Sequence, residues 1–309
     1  MQMDVLSDVL RVASLGNGLL SASELVTPWA MEVGPKVRAA VHLVQRGVCW
    51  LRAEHLDGPV RLLAGDIIFI PNGATHILSD DPRTPPRPYL EELEEQRRRK
   101  DLGQGMDGER CALLCAEITF DQTEAHPLMS VLPQVIHISA DAAEADEALR
   151  ALARVLMKEA SQRHAGAELL VPRLIDSLLI LIVRHWLATH PFQTAGWLGA
   201  LRDAQIGKAL GLIHQQPQRK WTVEELAASV AMSRAVFARR FAELVGEPPL
   251  TYLTHWRLNI AAKRLRASND SVEQIAYLVG YESATSFSNA FRRHLSVPPG
   301  QYRALGNAQ

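Results

Sequence analysis

Two apolar periods divide this chain. Between Ser21 and His76, apolar positions come in short runs and period-two alternation: Ala39-Ala40-Val41-His42-Leu43-Val44, Val48-Cys49-Trp50-Leu51, Val60-Arg61-Leu62-Leu63 and Ile67-Ile68-Phe69-Ile70. Gly47, Gly58-Pro59, Gly65-Asp66 and Pro71-Asn72-Gly73 punctuate them. Short strands closed by turn residues at this spacing predict a β-barrel or jelly roll. Strand patterning resumes at Cys111 to Phe120 and ends near Pro133. Ahead of the strands, Asp4 to Val12 predicts a short amphipathic helix with Val5, Leu6, Val9 and Leu10 on one side.

Between Ser79 and Arg110 the alternation stops. Asp80-Asp81-Pro82 and Pro85-Pro86-Arg87-Pro88 lead into Glu91-Glu92-Leu93-Glu94-Glu95-Gln96-Arg97-Arg98-Arg99-Lys100. Prolines and block charges without periodic apolar residues cannot bury a core, so 79–110 is expected to be a flexible loop. Its Arg97 to Lys100 run fits either a phosphate contact or a solvated surface. From Asp141 to Leu187 the period becomes helical. Leu149, Leu152, Val155 and Leu156 form one stripe, and Leu174, Ile175, Leu178, Leu179, Ile182 and Trp186 a wider one. The second stripe is more than a small barrel needs as cover, which leaves two uses: pairing of subunits or packing on the barrel. His190 to Gly196 breaks the pattern and reads as linker.

The last third of the chain holds one helical unit written twice. Val223, Leu226, Ala227 and Val230 recur as Val272, Ile275, Ala276 and Val279, each 49 positions on. Past the turn the offset is 50, matching Phe237 to Phe287, Phe241 to Phe291, Pro248-Pro249 to Pro298-Pro299 and Tyr252 to Tyr302. That periodicity predicts duplicated architecture with one extra residue in the second turn. Thr222 with Glu225, and Ser271 with Gln274, predict capping boxes that satisfy the first-turn amides of two helices. In the helices after the turns, Phe237 and Phe241, like Phe287 and Phe291, share a buried stripe. The other faces carry Arg234, Ala235, Ala238 and Arg239 in one copy, and Ala284, Thr285, Ser288, Asn289, Arg292 and Arg293 in the other. Ordinary helical hairpins share this layout, but two capped copies with polar outer faces point to helix-turn-helix units that enter the major groove. Arg239 and Asn289 are the candidates for base edges, and Arg234, Arg292 and Arg293 for phosphates. Ala235, Ala238 and Ala284 offer only methyl-sized contacts.

These residues also carry a resemblance. Gly280-Tyr281-Glu282-Ser283, Phe287 to Arg293, and Val297-Pro298-Pro299-Gly300-Gln301-Tyr302-Arg303 resemble the C-terminal domain of AraC/XylS-family transcription regulators, over roughly Ile206 to Arg303. Tyr252-Leu253 and Arg257-Leu258, before Ala261 and Leu265, resemble the helix that joins the two units in that family. The resemblance implies a regulator of transcription, an activator or a repressor, with a double-stranded DNA operator, RNA polymerase and a second copy of the chain as partners. Residues 65–76, Gly65 to His76, resemble the second motif of the cupin fold, and His42 followed by Gly47 resembles what remains of the first. Metal-binding cupins usually carry an H-x-H pair and a Glu there, whereas position 40 is Ala40 and no clear Glu follows. A catalytic metal needs about three protein ligands, and only His42 and His76 are nameable, so no cofactor is assigned. Two readings remain for them, a metal in the barrel or hydrogen-bonded barrel residues.

The chain is thus expected to be α+β in two domains, an N-terminal cupin-like β-barrel with a helical dimerisation segment and a C-terminal all-α double helix-turn-helix. The expected boundaries are 1–140 for the sensor, 141–190 for the dimerisation helices, 191–203 for a linker and 204–309 for the DNA-binding domain. Cys111 and Cys115 stand four apart on one expected strand and share a face, and Cys49 lies on another. They are candidate sensors of an oxidant, with a protonated histidine lowering a thiol pKa, or else small buried hydrophobes. The alternative effector is a small organic ligand in the barrel. Three cysteines argue against a disulfide framework and for a reducing cytoplasm. Met1-Gln2-Met3-Asp4 shows no signal-peptide pattern, and the longest apolar run, Leu178 to Val183, is too short for a bilayer. A net charge of −1 hides an asymmetry: 14 of the 33 Lys/Arg but only 8 of the 34 Asp/Glu lie from position 200 onward. A basic end suits nucleic acid. The rival from another class is a cupin metalloenzyme fused to a DNA-binding tail.

Overall fold

The computed structural model describes residues 19–34, 38–103, 107–119, 132–161, 164–190 and 196–306. The expected helix at 4–12, the strand end beyond Thr119 and the first part of the expected linker lie outside them. The described residues up to His190 form one compact unit, and those from Gly196 onward another.

The first unit is built from strands β1 (Leu19–Val26), β2 (Ala30–Val33), β3 (Arg38–Arg46), β4 (Val48–Ala53), β5 (Val60–Leu63), β6 (Ile67–Ile70), β7 (His76–Ser79), β8 (Arg87–Pro88), β9 (Arg110–Thr119) and β10 (Ile136–Ile138). They pair as two five-stranded sheets, β1-β9-β3-β6-β10 and β5-β4-β7-β2-β8. Period-two alternation predicts one buried face per strand. It does not predict closure, which needs hydrogen bonds across both sheet edges. No pairing among the described strands joins the two sheets, so the expected barrel is a two-sheet jelly-roll arrangement. Leu25, Trp29, Met31, Leu51, Ile68, Ile70, Leu78 and Leu113 fill the space between them. The opposite face of the first sheet is buried as well, through Ala39, Val41, Leu43, Leu114, Ala116 and Ile118. This explains why Ile67–Ile70 is apolar throughout: a strand covered on both faces loses its alternation.

The described residues of 79–110 are not a flexible loop. Helix α1 (Tyr89–Asp101) starts after Pro88, with Glu91 and Glu92 in its first turn and Arg98, Arg99 and Lys100 in its last, a charge order that complements the helix dipole. Its buried stripe was invisible to hydropathy because half of it is polar. Tyr89 and Leu93 pack on the core, Glu92 is buried, and the Gln96 side chain accepts from the Val26 amide at 3.0 Å and donates to the Val26 carbonyl at 3.2 Å. Arg99 donates to the Pro28 carbonyl at 2.9 Å. Arg97 to Lys100 therefore belongs to a helix that clasps β1, and the loop expectation fails.

Helices α2 (Ala140–Ala145), α3 (Glu147–Ser161) and α4 (Ala167–Thr189) follow. α3 packs on α4 and lies against β1. Ile175, Leu178, Leu179, Ile182, Val183 and Trp186 are buried within the unit. The wide stripe is thus spent inside the fold, and among the described residues the large apolar side chains these helices leave exposed are Val155, Leu169 and Leu170. Among the described residues, no helix is long and apolar enough to cross a membrane.

The second unit is all helical: α5 (Gly196–Ala200), α6 (Ala204–Gln215), α7 (Val223–Ser229), α8 (Arg234–Val245), α9 (Pro249–Ala267), α10 (Val272–Leu278), α11 (Ala284–Leu295) and α12 (Pro299–Gly306). Both expected capping boxes are present, Thr222 with Glu225 on α7 and Ser271 with Gln274 on α10. The linker expectation needs trimming. Helix α5 packs on α8, with Leu198 and Ala200 buried, so the second half of 191–203 belongs to the helical unit.

Candidate nucleic-acid interface and sensor cluster

The two copies of the repeat fold alike. After α7 the chain turns through Ala231, whose φ is +54°, and Met232 N donates back to the Ala227 carbonyl at 2.9 Å. After α10 it turns through Gly280, with φ +89°, and Tyr281 N donates to the Ala276 carbonyl at 2.9 Å. Both are left-handed C-terminal caps, and Glu282 is the extra residue that moves the offset from 49 to 50. Ser233 and Ser283 then cap α8 and α11. Phe237 and Phe241, and Phe287 and Phe291, are fully buried, with ring centroids 5.6 and 5.5 Å apart. Anchored on those stripes, α8 exposes Arg234, Ala235 and Arg239 and half-exposes Ala238; α11 exposes Thr285, Asn289, Arg292 and Arg293 and half-exposes Ala284 and Ser288.

Two of the arginines are engaged. Arg234 Nε lies 2.6 Å from Glu224 Oε1 and Arg239 Nε 3.8 Å from Glu243 Oε1, both pairs exposed and therefore cheap to exchange for a phosphate or a base. The neighbouring Arg240 is different: its guanidinium holds Asp203, the residue that caps α6 through the amides of Gln205 and Ile206. Arg240 is a structural tie. Sequence reasoning missed Val236, which is 44 % exposed although apolar, and its match Ser286, also exposed. The available signal was that position 236 falls just off the phenylalanine stripe.

The two copies are tied together by the segment after α6. Arg257 on α9 donates from Nε to the Pro217 carbonyl at 2.6 Å and from Nη2 to the Arg219 carbonyl at 2.9 Å. Lys220 pairs with Glu282, and Gly280 lies against Gln218 so closely that a Cβ would sit 2.6 Å from its carbonyl oxygen. His255 on α9 bonds Glu247 at 2.8 Å and stacks on His294 of α11 with centroids 4.5 Å apart.

In the strand unit, His42, His76 and Cys115 come together. His42 Nδ1 is 3.0 Å from Cys115 Sγ, His42 Nε2 is 2.8 Å from His76 Nε2, and His76 Nδ1 is 2.7 Å from the Ala74 carbonyl. The carbonyl can only accept, which fixes the rest. His76 Nδ1–H donates to it, His42 Nε2–H donates to the bare His76 Nε2, and the Cys115 thiol donates to the bare His42 Nδ1. Every group is satisfied with both rings neutral and the thiol protonated. Burial lowers both histidine pKa values and pushes the Cys115 thiol up to about 12. The expectation that a protonated histidine lowers the pKa of this thiol is reversed. For a metal the donors do not fit. The two Nε2 atoms are spent on each other, and among the described residues no group of three or more His, Cys, Asp or Glu is placed to hold an ion. Cys111 shares the inter-sheet space with Cys115, as expected, but its side chain meets Cys49 of the facing sheet instead. The remaining buried carboxylate, Asp66, ties the β5–β6 turn to β10 and α2 by accepting from Leu63 N, Ala140 N and His137 Nε2.

A family model described as a cupin matches residues 4–188, and one described as a helix-turn-helix domain matches 226–305. A putative AraC-like transcription regulator of Streptomyces lividans is 32 % identical, over 97 % of this chain and 98 % of that one. The HTH-type transcriptional regulator MtrA of Neisseria gonorrhoeae is 30 % identical, over 98 % of this chain and 99 % of that one. Among solved structures, the DNA-binding domain of AdpA in complex with a target DNA is 34 % identical, covers 33 % of this chain and 92 % of that one, and superposes with a TM-score of 0.32.

Proposed function

The chain belongs to the AraC family of transcription regulators, and we propose that its α8 and α11 read one operator in successive major grooves on one face of the duplex. The observation that carries this reading is the pair of matched recognition helices, each seated by two buried phenylalanines and each presenting polar side chains outward. The 19-residue α9 that joins them is about 28 Å long at 1.5 Å per residue, near the 34 Å of one helical turn of DNA. Arg239 and Asn289 reach base edges in this reading. Arg234, Arg292 and Arg293 hold phosphates, and Ala235, Ala238, Ala284 and Val236 press on the groove floor, where a thymine methyl suits them. Thr285 and Ser288 complete the polar face of the second copy.

The protein acts as a homodimer and recruits RNA polymerase at its operator. Because the wide stripe of α4 is buried, pairing through α3 and α4 falls to Val155, Leu169 and Leu170. The cupin half receives the signal, an oxidant or a small ligand, and the His42–His76–Cys115 chain is its hydrogen-bonded interior. A cupin metalloenzyme would need a third convergent ligand that this cluster lacks.

Footprinting on the operator next to the protein's own gene tests the reading. Protection of two adjacent major grooves per subunit is expected, and protection of one refutes it. Arg239→Ala and Asn289→Ala should each cost about 1–3 kcal/mol and relax specificity at one base pair. Equal losses on every sequence would remove both residues from base reading.

A further inference from the structure

The chain passes from one sheet to the other at a tight corner. β3 ends in the first sheet at Arg46, Gly47 turns with φ +84°, and β4 begins in the second. A Cβ on Gly47 would lie 2.3 Å from the Arg110 carbonyl oxygen and 3.0 Å from Cys111 Cα, so the corner rests directly on the start of β9. Two residues further, Cys49 points into the inter-sheet core and its thiol hydrogen-bonds to that of Cys111. One sulfur belongs to each sheet. Cys115, four positions along β9, is occupied by His42 and takes no part in this contact. All three cysteines are free.

The two thiols are unequal. The hydrogen bond from Cys49 and the nearby Arg46 guanidinium hold Cys111 below the usual thiol range, while the same bond and burial push Cys49 up. Arg46 and Arg110 flank the corner, both paired with Glu24 and with side chains 61 % and 46 % exposed, while Cys111 itself is buried beneath them. Such a site has an attacking thiol and a resolving thiol in contact with it, one residue away from an exposed charged corner.

We propose that Cys49 and Cys111 are a redox pair that closes into a disulfide between the two sheets when the protein meets a two-electron oxidant of the peroxide class. The Cys111 thiolate attacks one peroxide oxygen. An S–O bond forms, the O–O bond breaks, and the leaving hydroxide takes a proton from solvent as water. The Cys49 sulfur then attacks the sulfenic sulfur of Cys111. The S–S bond forms, hydroxide leaves from sulfur, and the Cys49 proton converts it to water. Two thiols lose two electrons and one peroxide gains them; a dithiol reverses the exchange. The pair rests on the reading that the cupin half receives the signal, and gives that signal a chemical class.

The test uses the full chain treated with hydrogen peroxide. Trypsin releases Cys49 in peptide 47–52 and Cys111 with Cys115 in peptide 111–150. The expected result is a fall from three titratable thiols to one, with the two peptides linked within one chain. The link should persist in Cys115→Ser, vanish in Cys49→Ser and Cys111→Ser, and open with dithiothreitol. Retention of all three thiols, linkage through Cys115, or linkage only between chains overturns the pair. None of these results depends on DNA, so they separate from failure of operator reading. Operator affinity of the oxidised wild type should then differ about fivefold or more from the reduced form, with no difference in Cys49→Ala. Unchanged affinity with the link formed overturns its role as the signal.

Discussion

Gly280→Ala is the sharpest perturbation the fold allows, because the duplicated unit supplies its own control. At Gly280 the backbone has φ +89°, which costs an L-residue about 1–2 kcal/mol. The new Cβ would also stand 2.6 Å from the Gln218 carbonyl oxygen and 2.8 Å from Gln218 Cα, both backbone atoms, and 2.9 Å from Arg257 Nη2. Residues 216–220 must therefore shift, and their carbonyls hold the Arg257 guanidinium at 2.6 and 2.9 Å. Losing one hydrogen bond to a charged group adds about 1.5–3 kcal/mol. The expected sum is about 2.5–5 kcal/mol, concentrated in the second copy. Ala231 occupies the matched turn with φ +54°, so Ala231→Gly should instead stabilise the first copy by about 0.5–1 kcal/mol once the glycine's own entropy cost is deducted. Hydrogen exchange of the α10 and α11 amides in the full chain, with urea denaturation alongside, reads both. A Gly280→Ala loss below about 1 kcal/mol, or a destabilising Ala231→Gly, would refute the argument that this turn and the 216–220 segment lock the two copies together.

Three further outcomes are expected. Arg292→Ala and Arg293→Ala should weaken binding to all DNA sequences alike, each reducing the slope of log affinity against log salt by about 1; an unchanged slope excludes them from phosphate contact. His42 and His76 have folded pKa values below the unfolded 6.5, so the stability they contribute is complete above that pH and is lost as pH falls below it. Unfolding free energies from urea titrations between pH 7 and pH 5 should drop by up to about 1.4 kcal/mol per pH unit for each histidine, and His42→Gln with His76→Gln should flatten the curve; an equally steep curve in the double variant counts against burial of neutral rings. Gln96→Ala leaves the Val26 amide and carbonyl unpaired beneath α1 and should cost about 1–3 kcal/mol, checked by denaturation and by faster exchange in 89–101.

The sequence alone determined the DNA-binding half. Its helices are short, locally capped and separated by turns, so Thr222, Ser271, the phenylalanine pairs and the 49/50 offset report structure made by neighbours in the chain. Period two likewise announced the strands. Other features depended on contacts between residues far apart in sequence. Helix α1 escaped detection because its buried face uses Gln96 and Glu92, which become core-compatible only beside Val26 and Gln96, respectively. Closure of the barrel was not encoded in alternation, and the tertiary structure resolved it as two sheets. The wide stripe on α4 was legible as buried, but only packing decided that it is covered within its own chain. The cysteines show the division most clearly. Spacing on β9 grouped Cys111 with Cys115, whereas the Gly47 corner pairs Cys111 with Cys49 and His42 takes Cys115. Strand spacing fixes which residues share a face, but the facing sheet decides which of them touch.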